Sequence, residues 1–177
     1  MMITFRFHGT GGQGVDSARK IFGYACFLSG FRVQDFTEQR IGAKSEHVVS
    51  HIKIDKQDII SKQKVESPSY ILVFDPALNM DEVLKDATKE TVVIINSEKK
   101  VPHPQIKKTG AKLYAVNAAQ IGISVLGKPK PEMAMLGALA KLFAKISLKS
   151  MKSAMELQGE LAKENSIAID EGYRNVK

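Results

Sequence analysis

The sequence predicts an α/β fold: three α/β/α layers around a mixed, mostly parallel sheet, opened by a Rossmann-like β-α-β unit and closed by a helical C-terminal third. Three observations carry this expectation. Ile3, Phe5 and Phe7 alternate with Thr4, Arg6 and His8, a strand pattern that runs into a cluster of glycines and then into helical spacing. Tyr70–Phe74 and Thr91–Ile95 are continuous apolar runs, as expected of strands covered on both faces. Beyond Pro131, the apolar residues Met133, Leu136, Leu139, Ala140 and Phe143 recur at the period of a helix. Strands alternating with helices imply a sheet between helical layers.

In chain order, the first strand ends at Gly9, and Val15, Ala18, Ile21, Phe22, Ala25 and Cys26 mark a helix over about Gln13–Leu28 that stops near Gly30. Phe31–Phe36 reads as a second strand. Glu46–Asp55 is another, with Val48, Ser50, Ile52 and Ile54 on one face and His47, Val49, His51 and Lys53 on the other. It is the stretch best suited to run antiparallel. Met80–Ala87 reads as a short helix with Asp81 and Glu82 in its first turn, where acids are favoured. Lys112–Val116 makes a further strand. Pro131 suits a first helical position, and helices over Leu148–Glu164 and Ser166–Gly172 follow.

The chain of 177 residues fits one domain spanning 1–177, within the usual range of about 100–200 residues. An apolar fraction of 44% and a charged fraction of 25% suit a soluble, cytoplasmic protein. No stretch approaches the roughly 18 apolar residues of a membrane span, and the first residues are too short and alternating for a signal peptide. The single cysteine, Cys26, forms no internal disulfide and no Cys-ligated cluster, and its helical position marks it as a small buried hydrophobe. The net charge of +7 is spread over lysines without interleaved aromatics, which argues against nucleic acid and for a solvated basic surface.

Gly9, Gly11 and Gly14 satisfy G-x-G-x-x-G between a strand and a helix, and Asp35 follows at the distance of a ribose-binding acid. Glycines let a ligand approach the backbone, and a helix N-terminus carries roughly half a positive charge, so an anion is the expected guest. Read alone, the loop suggests a free-standing NAD- or nucleotide-binding Rossmann-type oxidoreductase. The additional Gly12 and the amide of Gln13 depart from a standard dinucleotide loop. Gln13 suits a ligand or partner contact, or an exposed first-turn position.

The run Gly9-Thr10-Gly11-Gly12-Gln13-Gly14-Val15 resembles the opening of the γ subunit or γ domain of 2-oxoacid:ferredoxin oxidoreductases, the pyruvate and 2-oxoglutarate enzymes. Three further stretches resemble that family in the same order: Gln39–Ser45 with the strand after it, Met133–Leu139, and Asn165, Ala168 and Gly172. Ile41 and Glu132 depart from the pattern, standing where the family usually has glycine and asparagine. The resemblance implies a subunit of an enzyme that oxidatively decarboxylates a 2-oxoacid to acyl-CoA and reduces ferredoxin. It implies partner subunits of α, β and δ type, with thiamine diphosphate between α and β and iron–sulfur clusters in β and δ. The γ part is then a scaffold bordering the coenzyme A pocket, holding no cofactor alone and no complete active site.

The ligand- or partner-binding candidates are Gly9, Thr10, Gly11, Gly12, Gln13, Gly14, Arg40 and Asp75. Arg40 follows the second strand on the side where the glycine loop emerges, and its planar fork suits a carboxylate or a phosphate; an ion pair with Glu38 is the plainer reading. Asp75 ends a buried strand, on the ligand side of an open sheet, and equally suits a turn cap. No metal site is expected, since His47 and His51 lie roughly 13 Å apart along a strand. His8 reads as a packed or capping residue and His103 as loop surface. Met133 and Met135 are candidates for an exposed surface that drives homodimerisation when partners are absent.

Overall fold

The computed structural model describes residues 1–40, 47–60, 63–100, 102–159 and 163–177, the side chains of residues 39 and 40 excepted. The elements are β1 (Ile3–Thr10), α1 (Val15–Leu28), β2 (Arg32–Arg40), β3 (His47–Asp55), β4 (Tyr70–Val73), α2 (Met80–Leu84), β5 (Val92–Asn96), α3 (Pro104–Thr109), β6 (Lys112–Val116), α4 (Ala118–Leu126), α5 (Glu132–Leu142), α6 (Leu148–Leu157) and α7 (Lys163–Asn175).

They form an α/β fold around one mixed sheet of six strands in the order β2-β3-β1-β4-β5-β6. β1, β4, β5 and β6 are parallel neighbours, whereas β3 runs antiparallel to both β1 and β2. β1 and β2 are therefore parallel, as in a β-α-β unit, but they are not adjacent, because β3 occupies the slot between them. The alternation of β3 explains its place. Val48, Ile52 and Ile54 join Phe5, Phe7 and the buried face of α1 in the main core, while His47, Val49 and His51 point to the other side.

α1, α5, α6 and α7 share that main core, whose centre is the aromatic group Phe5, Phe22 and Phe143. A second, smaller core lies on the opposite face, where Val83, Leu84 and Ile106 of α2 and α3 cover Ile71, Val73 and Val93. The opposite face of β1 and β3 is of a different kind, with Arg6, His8, His51 and Lys53 buried in it.

Several elements differ from the sequence expectation. β2 continues through the polar run Thr37-Glu38-Gln39-Arg40, which an edge strand tolerates. α3 and α4 were not expected: α3 is only six residues long, and α4 is apolar at nearly every position, so no period stands out. Pro131 is the N-cap of α5 rather than its first residue. The expected 148–164 helix ends at Leu157, and α7 is longer than expected. α5 is buried nearly all round, so Met133 and Met135 lie fully in the core and offer no exposed surface, contrary to expectation.

Candidate functional site

The glycine loop is braced by its own residues. Gln13 N–H donates to the Thr10 carbonyl at 3.3 Å, and Thr10 N–H donates to Gln13 Oε1 at 2.8 Å. Gln13 is thus neither an idle first-turn residue nor wholly available to a ligand, because its carbonyl oxygen closes the turn. Gly14, the N-cap of α1, has φ 73°, and a Cβ there would stand 2.7 Å from Glu132 Cδ. Both the left-handed backbone and the close approach of Glu132 require glycine at this point. Gly11 and Gly12 stay exposed at the tip.

A cleft of about 670 Å³ opens beside the loop, lined by Thr10, Gly11, Gly12, Gly14, Ser17 and Thr37 together with Val15, Asp16 and Val48. Backbone amides of the first turn of α1 and the Ser17 hydroxyl thus share one concavity, a donor set suited to phosphate or carboxylate oxygens, while the Thr10 and Thr37 hydroxyls donate to Asp75 and Asp16. Asp16 balances the positive helix end. Burial pushes its carboxyl upward, but hydrogen bonds from Lys20, Arg19 and Thr37, with the charge of Arg19, outweigh this and hold it at about 2.

Asp35 does not stand ready for a ribose. Its carboxylate is bonded to Arg19, which also bonds Asp16 Oδ1 through Nε at 3.0 Å and Nη2 at 2.8 Å. Thr37 Oγ1 donates to Asp16 Oδ1 at 3.0 Å and lies 2.8 Å from Ser50 Oγ. This network fixes the start of α1 against β2 and β3. The i,i+3 and i,i+4 spacings of Asp16 with Arg19 and Lys20 were its only trace in the sequence.

Asp75 follows β4 and caps the turn, one of its two expected roles: Oδ1 accepts from Ala77 N–H at 2.9 Å, while Oδ2 accepts from Thr10 Oγ1 at 3.1 Å and ties the glycine loop to the end of β4. Arg40 is brought to the same end of the sheet. The ladder sets Thr10 of β1 opposite His47 of β3, and His47 opposite Arg40 of β2. Gly9–Gly14, Asp75 and the backbone of Arg40 therefore converge, while the stretch 41–46, including Ile41, lies outside the described residues. Glu38 is bonded to Lys64 at 2.7 Å, and the expected Arg40–Glu38 ion pair lies outside the described residues with the side chain of Arg40.

The histidines are engaged by contacts within the protein in this arrangement. His8 Nδ1 lies 3.2 Å from His47 Nε2, and both rings are buried. His51 Nδ1 accepts from Val65 N–H at 3.2 Å, and its ring stacks on Phe36. With Arg6 and Lys64 they line a second cavity of about 560 Å³ on the sheet face away from α1. His103 is the N-cap of α3, accepting from Gln105 N–H, rather than idle loop surface. Cys26 is buried, and burial pushes its thiol far above the usual range, which leaves it unreactive.

Residues 4–175 match the family described as pyruvate ferredoxin/flavodoxin oxidoreductase. The chain belongs to this family. The pyruvate/ketoisovalerate oxidoreductases common subunit gamma of Pyrococcus furiosus is 34% identical over 181 residues, an alignment that spans 99% of this chain and 98% of that protein. The pyruvate synthase subunit PorC of Methanocaldococcus jannaschii is 31% identical, with 99% and 97% covered. The crystal structure of pyruvate oxidoreductase subunit PORC from Thermotoga maritima superposes with a TM-score of 0.84 at 26% identity, covering 99% of this chain and 97% of that one.

Two of the motifs that resemble the family meet in space. Gly137 of α5 lies against the Ile169 carbonyl of α7, and Gly172 of α7 lies against the Ala134 carbonyl of α5. They are packing positions rather than ligand contacts. The departure at Glu132 falls behind the glycine loop, where this buried side chain touches Gly14 and its Oε1 lies 3.7 Å from Lys130 Nζ.

Proposed function

We propose that this chain is the γ subunit of a multi-subunit 2-oxoacid:ferredoxin oxidoreductase, folded as one domain over residues 1–177. The observation that carries the reading is its similarity, over nearly the full length of both chains, to the gamma subunit of Pyrococcus furiosus. The complex decarboxylates a 2-oxoacid, joins the acyl group to the coenzyme A thiol and passes the electron pair to ferredoxin. Thiamine diphosphate and the iron–sulfur clusters belong to the α, β and δ partners, consistent with a chain whose one cysteine is buried.

Within that complex, this chain supplies a wall of the coenzyme A pocket rather than the reacting groups. The residues that would hold the phosphates are Gly11, Gly12 and the first turn of α1, with Arg40 alongside, while Gln13 and Asp75 fix Thr10 behind them. Support comes from the donor-lined cleft and from the convergence of these residues at one end of the sheet. A dinucleotide-binding role finds none, since Asp35 is engaged by Arg19.

Affinity purification of the tagged chain from its native source tests the assignment. Chains carrying thiamine diphosphate and iron should accompany it in constant ratio, and recovery of the chain without them would sink the assignment. Calorimetric titration with NAD(H) should show no binding.

A further inference from the structure

The two edges of the sheet are treated differently. At β6, Ala115 N–H donates to the Lys177 carbonyl and Lys177 N–H donates back to the Ala115 carbonyl, both at 3.0 Å, so this edge is blocked at Ala115. β2, nine residues long, pairs with β3 on one side, and among the described residues no strand lies on its other side. A long unpaired edge is a template for another strand. Beside it, on the α1 face, Phe27 is 56% exposed and Leu157 62% exposed. A hollow of about 370 Å³, lined by Tyr24, Phe27, Val33 and Asp35 among others, joins this apolar patch to the strand.

We propose that β2 is a dimerisation edge, onto which the β2 of a second copy of this chain adds antiparallel about a two-fold axis at Asp35. The charge pattern of the strand selects both the occupant and the register. Pairing about Asp35 sets Arg32 of each copy opposite Glu38 of the other, with Val33 opposite Thr37 and Gln34 opposite Phe36. A shift of the axis to Phe36 sets Arg32 against Arg40, a like-charge pair directly across strands.

Asp35 meets its own image, but each carboxylate is already neutralised by Arg19. Among the described residues Arg32 is paired with Asp58 at 3.2 Å, with side chains 65% and 86% exposed, and such a pair is exchanged at little cost. The two-fold axis is perpendicular to the sheet, so both α1 helices lie on the same face. The Phe27 patches are thereby brought to either side of the axis, as an isologous interface requires.

Sedimentation velocity of the full chain over a range of concentrations, with hydrogen exchange read along β2, tests the proposal. The expected result is a concentration-dependent dimer whose β2 amides slow as the dimer forms. Phe27→Glu, at an exposed position, should raise the dimer Kd about tenfold or more, equivalent to about 1.4 kcal/mol, with an unchanged monomer melt.

Arg32→Glu alone sets glutamates against glutamates, and Glu38→Arg alone sets arginines against arginines. Mixed one to one, these two variants regain both opposite-charge pairs and should form a heterodimer while each alone is monomeric. A chain monomeric at every concentration, a dimer whose β2 amides exchange freely, or folded charge variants that fail to pair when mixed would each overturn the proposal. Protection of β2 only in the assembled oxidoreductase would assign the edge to a different partner and overturn it equally.

Discussion

Gly172 of α7 packs so closely on the Ala134 carbonyl of α5 that no side-chain atom separates the two backbones, and a Cβ built on Gly172 would overlap that oxygen. The neighbour is helix backbone, which cannot swing aside as a flexible side chain would. Gly172→Ala should therefore cost about 3 kcal/mol, the upper part of the usual range for overpacking. Gly137→Ala, which meets the Ile169 carbonyl, should cost a similar amount. Urea unfolding at equilibrium measures both. Once either alanine has forced the helices apart the other is relieved, so the double variant should lose less than the sum.

Arg6 and Asp86 form a second, unequal pair. Arg6 Nη1 bonds Asp86 Oδ2 at 2.6 Å and Nη2 bonds the Val83 carbonyl at 2.7 Å, with the side chain of Arg6 only 5% exposed against 33% for Asp86. Removing the carboxylate strands a buried cation, whereas removing the cation leaves a carboxylate that water can reach. Asp86→Ala should cost about 3 kcal/mol, and Arg6→Met, which keeps much of the buried stem volume, distinctly less. Equal losses in chemical denaturation would show that packing, rather than charge, governs the pair.

Asp16 predicts a pH dependence with a defined sign. Its folded carboxyl sits at about 2, below its ordinary value of 3.8. The stabilisation is therefore complete above pH 4 and is lost as the pH falls from about 4 to 2. The side chain is nearly half exposed, so solvent screening reduces the contribution to about 1 kcal/mol. Asp16→Asn should be less stable than the parent at pH 7 by about that amount, with the difference vanishing near pH 2. A gap that stays constant from pH 7 to pH 2.5 would assign the effect to shape or hydrogen bonding instead of charge.

Local pattern made the strands and the loop legible in the sequence. Phe5 and Phe7 alternate with Arg6 and His8 because β1 divides a helix-covered face from a polar one, and that division persists in the structure. Strand order was not legible, since the insertion of β3 between β1 and β2 depends on pairing partners far apart in sequence. The same limit hid the link from Asp35 to Arg19: the spacing of Asp35 from the glycines fits a ribose acid, and only the packing of β2 on α1 shows the carboxylate already engaged. The helix period marks Met133 as buried but leaves Met135 off that face, and only the structure shows α5 covered on nearly all sides, with both methionines in the core.

Gln13 separates the stability of the loop from its function. Its Oε1 accepts from Thr10 N–H at 2.8 Å, a bond that a carboxylate in the same place would also accept. Gln13→Ala removes the acceptor and should cost about 1 kcal/mol. Gln13→Glu keeps it and should fold with near-parental stability, while placing a negative charge between Gly12 and Gly14 where the phosphates of coenzyme A are proposed to lie. In the assembled oxidoreductase, Gln13→Glu should raise the KM for coenzyme A about tenfold, the effect of roughly 1.4 kcal/mol of repulsion, and leave the KM for the 2-oxoacid unchanged. If the coenzyme A KM stays level while Gln13→Ala still lowers stability, the loop is a structural turn facing a partner chain and the pocket lies elsewhere. A rise in both KM values would point instead to a distorted assembly, so the contrast between the two substrates, rather than the loss of activity, decides the role of the loop.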